Sequence, residues 1–203
     1  MKNSILALLA VAALMACKKN ETTAVDQSAD SSAMAAPADS AMNGNNSATM
    51  SDTAGTKDSL SNQDKKFADA AAQGGMMEVM MGQLAASNAG NAAVKTLGEM
   101  MVKDHGKAND ELKKWASTAG YTLPTGLDAE KQRKYDDLKA KKGSEFDRAY
   151  TDLMVNDHEK DIAEFKKQAA EGADASLKSF ASQTLPTLEH HLAESKKAKD
   201  AVK

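Results

Sequence analysis

The pentapeptide Met101-Val102-Lys103-Asp104-His105 returns almost unchanged as Met154-Val155-Asn156-Asp157-His158. The likeness continues downstream. Glu111-Leu112-Lys113-Lys114 matches Glu164-Phe165-Lys166-Lys167, and Ala116 matches Ala169. Around both copies apolar residues recur every three and four positions, the period of a helix with one buried face. The chain is thereby committed to two long helices of similar pattern, each with a His on its inner stripe.

The same period organises the rest of the domain. Ser61 or Asn62 can cap a first helix, with Asp64 in its first turn. Phe67, Ala71, Gly74, Met81, Leu84 and Ala85 share one face of it, and Glu78 falls inside that stripe. An ionised Glu buried alone is costly, so Glu78 must be paired, protonated or metal-bound. Gly74-Gly75 reads as a place where a neighbouring helix comes close. After a break at 87–90, a second helix from about 91 to 118 carries Val94, Leu97, Met101, His105, Leu112 and Trp115 inward. Gly120 ends it. Asp128 or Thr125 caps a short helix to about Lys141, and Ser144 is expected to cap the next long one, 145–171. Asp174 opens the last, with Leu177, Ala181, Leu188 and Ser195 on one face. Pro186 should bend it one turn before His191, and residues after Lys196 should fray. The expected fold is all-α, an up-down bundle of four long helices plus one short helix over residues 61–199.

The start of the chain is of another kind. Residues 1–17 pair a basic Lys2 with an apolar stretch from Ile5 to Met15, shaped like a secretory leader. Leu14-Met15-Ala16-Cys17 resembles the lipobox of bacterial lipoproteins, and Cys17 is the only cysteine of the chain. That resemblance implies cleavage before Cys17 and lipid on its sulfur and amino group, hence a membrane anchor. Lys18-Lys19 stand where an inner-membrane retention Asp would, which points to the outer membrane. Residues 18–60 are rich in Ser, Ala, Asn, Asp and Thr, a composition that cannot offset its ordering entropy by burial. They read as a tether.

Charge and cysteine content narrow the function. A net charge of −3 gives nucleic acid no basic footprint. No apolar run reaches the roughly 20 residues of a spanning helix. One Cys excludes an intrachain disulfide, and no Ser or Cys has an evident His partner for nucleophilic catalysis. Three of the four histidines, His105, His158 and His191, sit on or beside apolar stripes of three different long helices. Glu78 sits on the fourth. One carboxylate and three imidazoles can hold a single Zn, Fe, Mn or Cu ion. Asp104 and Asp157 can accept hydrogen bonds from outer ring nitrogens of neighbouring helices. The alternative is a buried polar network without metal that fixes helix register.

Several motifs together resemble the DUF4142 family, described as outer-membrane proteins with a ferritin-like helical bundle. They are Phe67 with Ala71-Ala72-Gln73-Gly74-Gly75 and Glu78-Val79; Met101 to His105 with Ala108-Asn109; Leu123-Pro124; Phe146-Asp147 with Tyr150; Asp157-His158-Glu159; and Leu185-Pro186-Thr187-Leu188 with His191-Leu192. The resemblance spans roughly residues 62–196. It implies the fold and, by position, inward-facing Glu78, His105, His158 and His191, but no activity. Di-iron bundles carry Glu-x-x-His on two helices. Here Val102, Val155 and Leu188 stand three before the histidines, so iron storage or di-iron oxidation is not expected. The expected role is a cell-envelope lipoprotein, with its domain in the periplasm or at the surface. Two alternatives stand beside it, a metal-dependent redox or stress-response enzyme and a purely structural or partner-binding bundle.

Overall fold

The structure, a computed structural model, describes residues 60–203. The leader, Cys17 and the tether up to residue 59 lie outside the described residues. Five helices follow one another: α1 (Asn62–Asn88), α2 (Ala92–Ala119), α3 (Ala129–Lys139), α4 (Gly143–Glu171) and α5 (Ala175–Asp200). This is the expected all-α bundle of four long helices and one short one. None of them is long and apolar enough to cross a membrane.

Side-chain caps set most helix starts. Ser61, Asn91, Asp128 and Asp174 accept from the backbone N–H groups of Asp64, Ala93, Lys131 and Leu177. Each satisfies a donor that the first turn would leave unpaired. Gly120 closes α2 with φ 65°, a left-handed conformation that suits glycine. Two boundaries differ from expectation. Ser144 is not a cap; α4 begins at Gly143, and Lys142 in the cap position makes no side-chain cap bond. The turn there is held instead by Asn88, which donates to the carbonyls of Lys139 and Lys141. The end of α5 does not fray at 196. Ala198 is buried, and Lys196 and Lys199 pair with Glu159 and Asp152 on α4. The helix also continues through Pro186.

Each long helix runs antiparallel to its neighbours. Gly82 lies against Gly98 and Gly75 against Asn109, which pairs α1 with α2. Lys166–Glu189 and Lys199–Asp152 pair α4 with α5. Asp64 meets Gln168 at one end of α1, and Asn91 meets Asp147 at the other, so α1 and α4 also run oppositely. It follows that α2 and α4 point the same way. The segment 120–142, which contains α3, must return along the length of the bundle, the long crossover of ferritin-like topology.

Two buried carboxylates clasp the hairpins together. Asp147 on α4 accepts from the N–H groups of Gly90 and Asn91 in the α1–α2 turn. Asp64 on α1 accepts from those of Ala173 and Asp174 in the α4–α5 turn, and from Gln168 at 2.6 Å. Burial alone would raise the Asp64 carboxyl, but these donors and Ser61 hold it below its usual range. Glycine brings α1 and α2 together at Gly75, where an added Cβ would collide with Asn109 as the Gly74-Gly75 pair led one to expect, and again at Gly82 and Gly98. A Cβ on Gly74 would meet nothing, whereas one on Gly98 would lie 2.5 Å from the Ala85 Cβ and 2.8 Å from the Gly82 carbonyl.

The core is split into two apolar clusters. One gathers Met77, Met81, Met101, Phe146, Tyr150 and Met154. The other gathers Phe67, Leu112, Trp115, Phe165, Leu177 and Leu188. Along α2, α4 and α5 the polar residue falls between them, and on α1 it falls at the edge of the first. Glu78 follows Met77, His105 lies between Met101 and Leu112, and His158 between Met154 and Phe165. His191 follows Leu188.

Candidate metal centre

Three helices deliver one imidazole each to the middle of the bundle. His105 on α2, His158 on α4 and His191 on α5 are 6 %, 0 % and 0 % exposed. Their ring centroids lie 5.1–5.5 Å apart. One nitrogen from each falls within 4.8 Å of the other two, a buried cluster able to coordinate a metal ion. The Nε2 of His158 is 3.4 Å from the Nε2 of His105 and 3.2 Å from the Nδ1 of His191.

The outer nitrogens fix the tautomers. His158 Nδ1 sits 2.8 Å from the carbonyl oxygen of Met154, one turn earlier on the same helix. A carbonyl only accepts, so this nitrogen carries the hydrogen. His191 Nε2 sits 3.1 Å from Asp104 Oδ2, and His105 Nδ1 sits 3.0 Å from Glu78 Oε2. With the Met154 carbonyl and Asp104 accepting, the inward nitrogens of His158 and His191 are left as facing lone pairs while the rings are neutral, and so is that of His105 when Glu78 is ionised. Two of the three spacings, 3.2 and 3.4 Å, match the ~3.3 Å edge of a tetrahedron whose metal–nitrogen bonds are ~2.0–2.1 Å, and the third lies within 4.8 Å.

A proton shared among the rings is opposed by burial. It pushes His105 and His191 down to about 4, against partial support from neighbouring carboxylates, and lowers His158 too. The carboxyl groups move the other way. Burial raises Glu78 to about 7, opposed by His158 and reinforced by Asp157. It raises Asp161 to about 8, reinforced by Glu78. The Tyr150 hydroxyl, fully buried and without a hydrogen-bond partner, is pushed up by the same burial and by Glu78.

The expected residues thus fall in distinct places. Glu78 is buried but stands behind the rings. Its Oε2 meets the outer nitrogen of His105, and its Oε1 lies 3.5 Å from the outer nitrogen of His158. Asp104 reaches across from α2 to the ring on α5. Asp157 is turned to α3, where its Oδ1 lies 3.3 Å from Lys134 Nζ, and its Oδ2 has no partner. Adjacent positions on a helix diverge by about 100°, which takes Asp157 away from the ring of His158. Asp161 went unmarked in the sequence reading. It lies three residues after His158, hence on the same side of α4, and lines a narrow void with Glu78 and His105. A carboxylate three residues from an inward His was the available signal. His190 is exposed, its ring centroid 6.5 Å from that of His191.

The family described as a domain of unknown function, DUF4142, matches residues 49–198. The chain belongs to the DUF4142 family. Among solved structures, a DUF305 fragment from Deinococcus radiodurans is similar to this DUF4142 chain with a TM-score of 0.62. The identity is 12 %, over 70 % of this chain and 98 % of that one. At that identity the likeness extends to the fold alone. No curated protein matches the chain.

Proposed function

We propose that this protein is a cell-envelope lipoprotein whose bundle holds a single transition-metal ion on His105, His158 and His191, without catalysing a reaction. The observation that carries the metal reading is the 3.2 Å contact between two inward nitrogens, His158 Nε2 and His191 Nδ1, whose rings turn their N–H groups outward to the Met154 carbonyl and the Asp104 carboxylate. Two facing lone pairs repel; a cation between them turns the same arrangement into coordination. A self-contained polar network would place a donor opposite an acceptor at this contact.

Each residue then has a part. The three imidazoles donate neutral nitrogen, which suits Zn, Cu, Fe or Mn in their divalent states. Glu78, Asp104 and the Met154 carbonyl hold the rings in the required tautomers and raise their basicity. Glu78 and Asp104 also supply negative charge close to the ion.

The envelope part of the reading rests on the lipobox resemblance around Cys17. Lipid there would tether the bundle to a membrane, on the outer-membrane side by the Lys18-Lys19 pattern. Cys17→Ser would release the protein from the membrane fraction and abolish incorporation of labelled fatty acid.

Metal analysis of purified protein tests the core of the proposal. One equivalent is expected after loading the wild type with Zn²⁺ or Cu²⁺, and none for His158→Ala. Equal, near-zero occupancy in both would reject it.

A further inference from the structure

We propose that a metal held by the three histidines keeps one coordination position for a small exogenous anion, which enters through a pocket between α2 and α5. This inference rests on the metal-binding reading above and extends it from holding an ion to presenting one.

The histidine cluster is not sealed on all sides. A polar cavity of about 210 Å³ opens between α2 and α5, and both His105 and His191 line it. His158 does not. Of the three groups anchoring the outer nitrogens, only Asp104 reaches solvent; its side chain is 27 % exposed, whereas that of Glu78 is 2 % exposed. The pocket therefore borders two of the three rings on the side where Asp104 meets water.

The donor set leaves room for another ligand. The metal-ligating group among the described residues consists of three imidazoles, and divalent ions with such ligands take at least four. Three neutral rings cancel none of the ion's charge by direct ligation, which favours an anion at the open position. The pocket walls offer hydrogen-bond donors, namely the hydroxyls of Thr184 and Thr187, the Gln183 amide and the Lys107 ammonium. Asp104 and Glu111 oppose an anion there. Asp104 is occupied by His191, and Glu111 is loosely paired with Lys107 at 3.8 Å. A pocket of about 210 Å³ has room for an ion of a few atoms. Azide, cyanate, carbonate or a short carboxylate fits.

Cobalt gives the readout, because its visible bands report the ligands around it. The purified full chain loaded with Co²⁺ is titrated with azide at low ionic strength. The expected result is a saturable change in the cobalt bands of the wild type. Thr187→Phe, which fills the pocket, should keep its cobalt and bind azide at least tenfold more weakly. Two exposed substitutions leave the core untouched: Lys107→Glu should weaken azide severalfold and Glu111→Gln should strengthen it, at unchanged cobalt content. Failure of the wild type to hold Co²⁺ would bring down the metal reading itself. Cobalt bound but blind to azide would overturn only the open position. Azide binding indifferent to all three substitutions would overturn the route.

Discussion

The Nε2 of His158 and the Nδ1 of His191 face each other across 3.2 Å. The hydrogen of each ring is already committed outward, to Met154 and to Asp104. This contact is unfavourable in the bare protein, and a cation relieves it. Metal loading should therefore stabilise the fold. At a metal concentration 100 times its Kd, the gain is about 2.7 kcal/mol. Calorimetry should show a rise in Tm for the wild type on adding Zn²⁺, and none for His158→Ala.

Proton competition sets how the site empties. Ordinary imidazoles protonate near 6.5, but burial keeps His105 and His191 unprotonated down to about 4. The rings thus stay available to a metal through the mildly acidic range. Dialysis against metal-free buffer should leave the ion in place at pH 5.5 and strip it near pH 4. Loss with a midpoint at 6.5 would mean that the rings are solvated.

The metal-free fold should respond to pH in two opposing ways. His105 and His191 have native pKa values of about 4 against 6.5 in the unfolded chain. Unfolding takes up protons in that window, so their contribution to stability is lost as the pH falls from 6.5 towards 4. Glu78 and Asp161 are raised to about 7 and 8 from 4.5 and 3.8. Unfolding releases their protons, so stability is lost as the pH rises from about 4 to 8. Glu78→Gln removes one of these groups yet keeps an acceptor for His105. Urea unfolding should find this variant more stable than wild type at pH 8, with most of the advantage gone at pH 5.

Glu78 also offers a test of burial. Its side chain is 2 % exposed, and a lysine there would put a second type of charge among rings that already resist protonation. Glu78→Lys should cost a few kcal/mol. A melting temperature equal to that of the wild type would contradict the burial.

Most of the fold could be read from apolar spacing. The caps at Ser61, Asp128 and Asp174 were visible as local chemistry, and so was the stop at Gly120. The gathering of His105, His158 and His191 was legible because each falls on an inner stripe. What spacing could not convey was direction within the cluster. A helical wheel puts Glu78 inside, but only the bundle's register decides whether it meets an inner or an outer nitrogen. The wheel likewise put Asp104 and Asp157 in like positions, yet one reaches His191 and the other Lys134. Asp64 looked like an ordinary acidic first-turn residue, and its grip on the α4–α5 turn depends on a contact across more than a hundred residues. The close approach of α1 and α2 at Gly74-Gly75 was legible, since Gly75 meets Asn109, but the second approach at Gly82 and Gly98, which are separated in sequence, carried no such mark.

That crossing gives a packing prediction independent of the metal. A methyl group on Gly98 would collide with Ala85 and with the Gly82 backbone, neither of which is a flexible side-chain end. Gly98→Ala should destabilise the bundle by about 1–3 kcal/mol. Gly74→Ala should be neutral or slightly stabilising, because the added methyl meets nothing and helix propensity improves. Chemical denaturation of the two variants checks the contrast.

Asp64 and Asp147 each fasten the turn of the opposite hairpin, one at either end of the molecule. Everything that joins the α1–α2 half to the α4–α5 half, apart from the crossover, is then non-covalent. A chain cut within 120–127 should reassemble from its two pieces. An ion shared by His105 from one piece and by His158 and His191 from the other would act as a rivet at mid-height, tightening that reunion in proportion to its concentration.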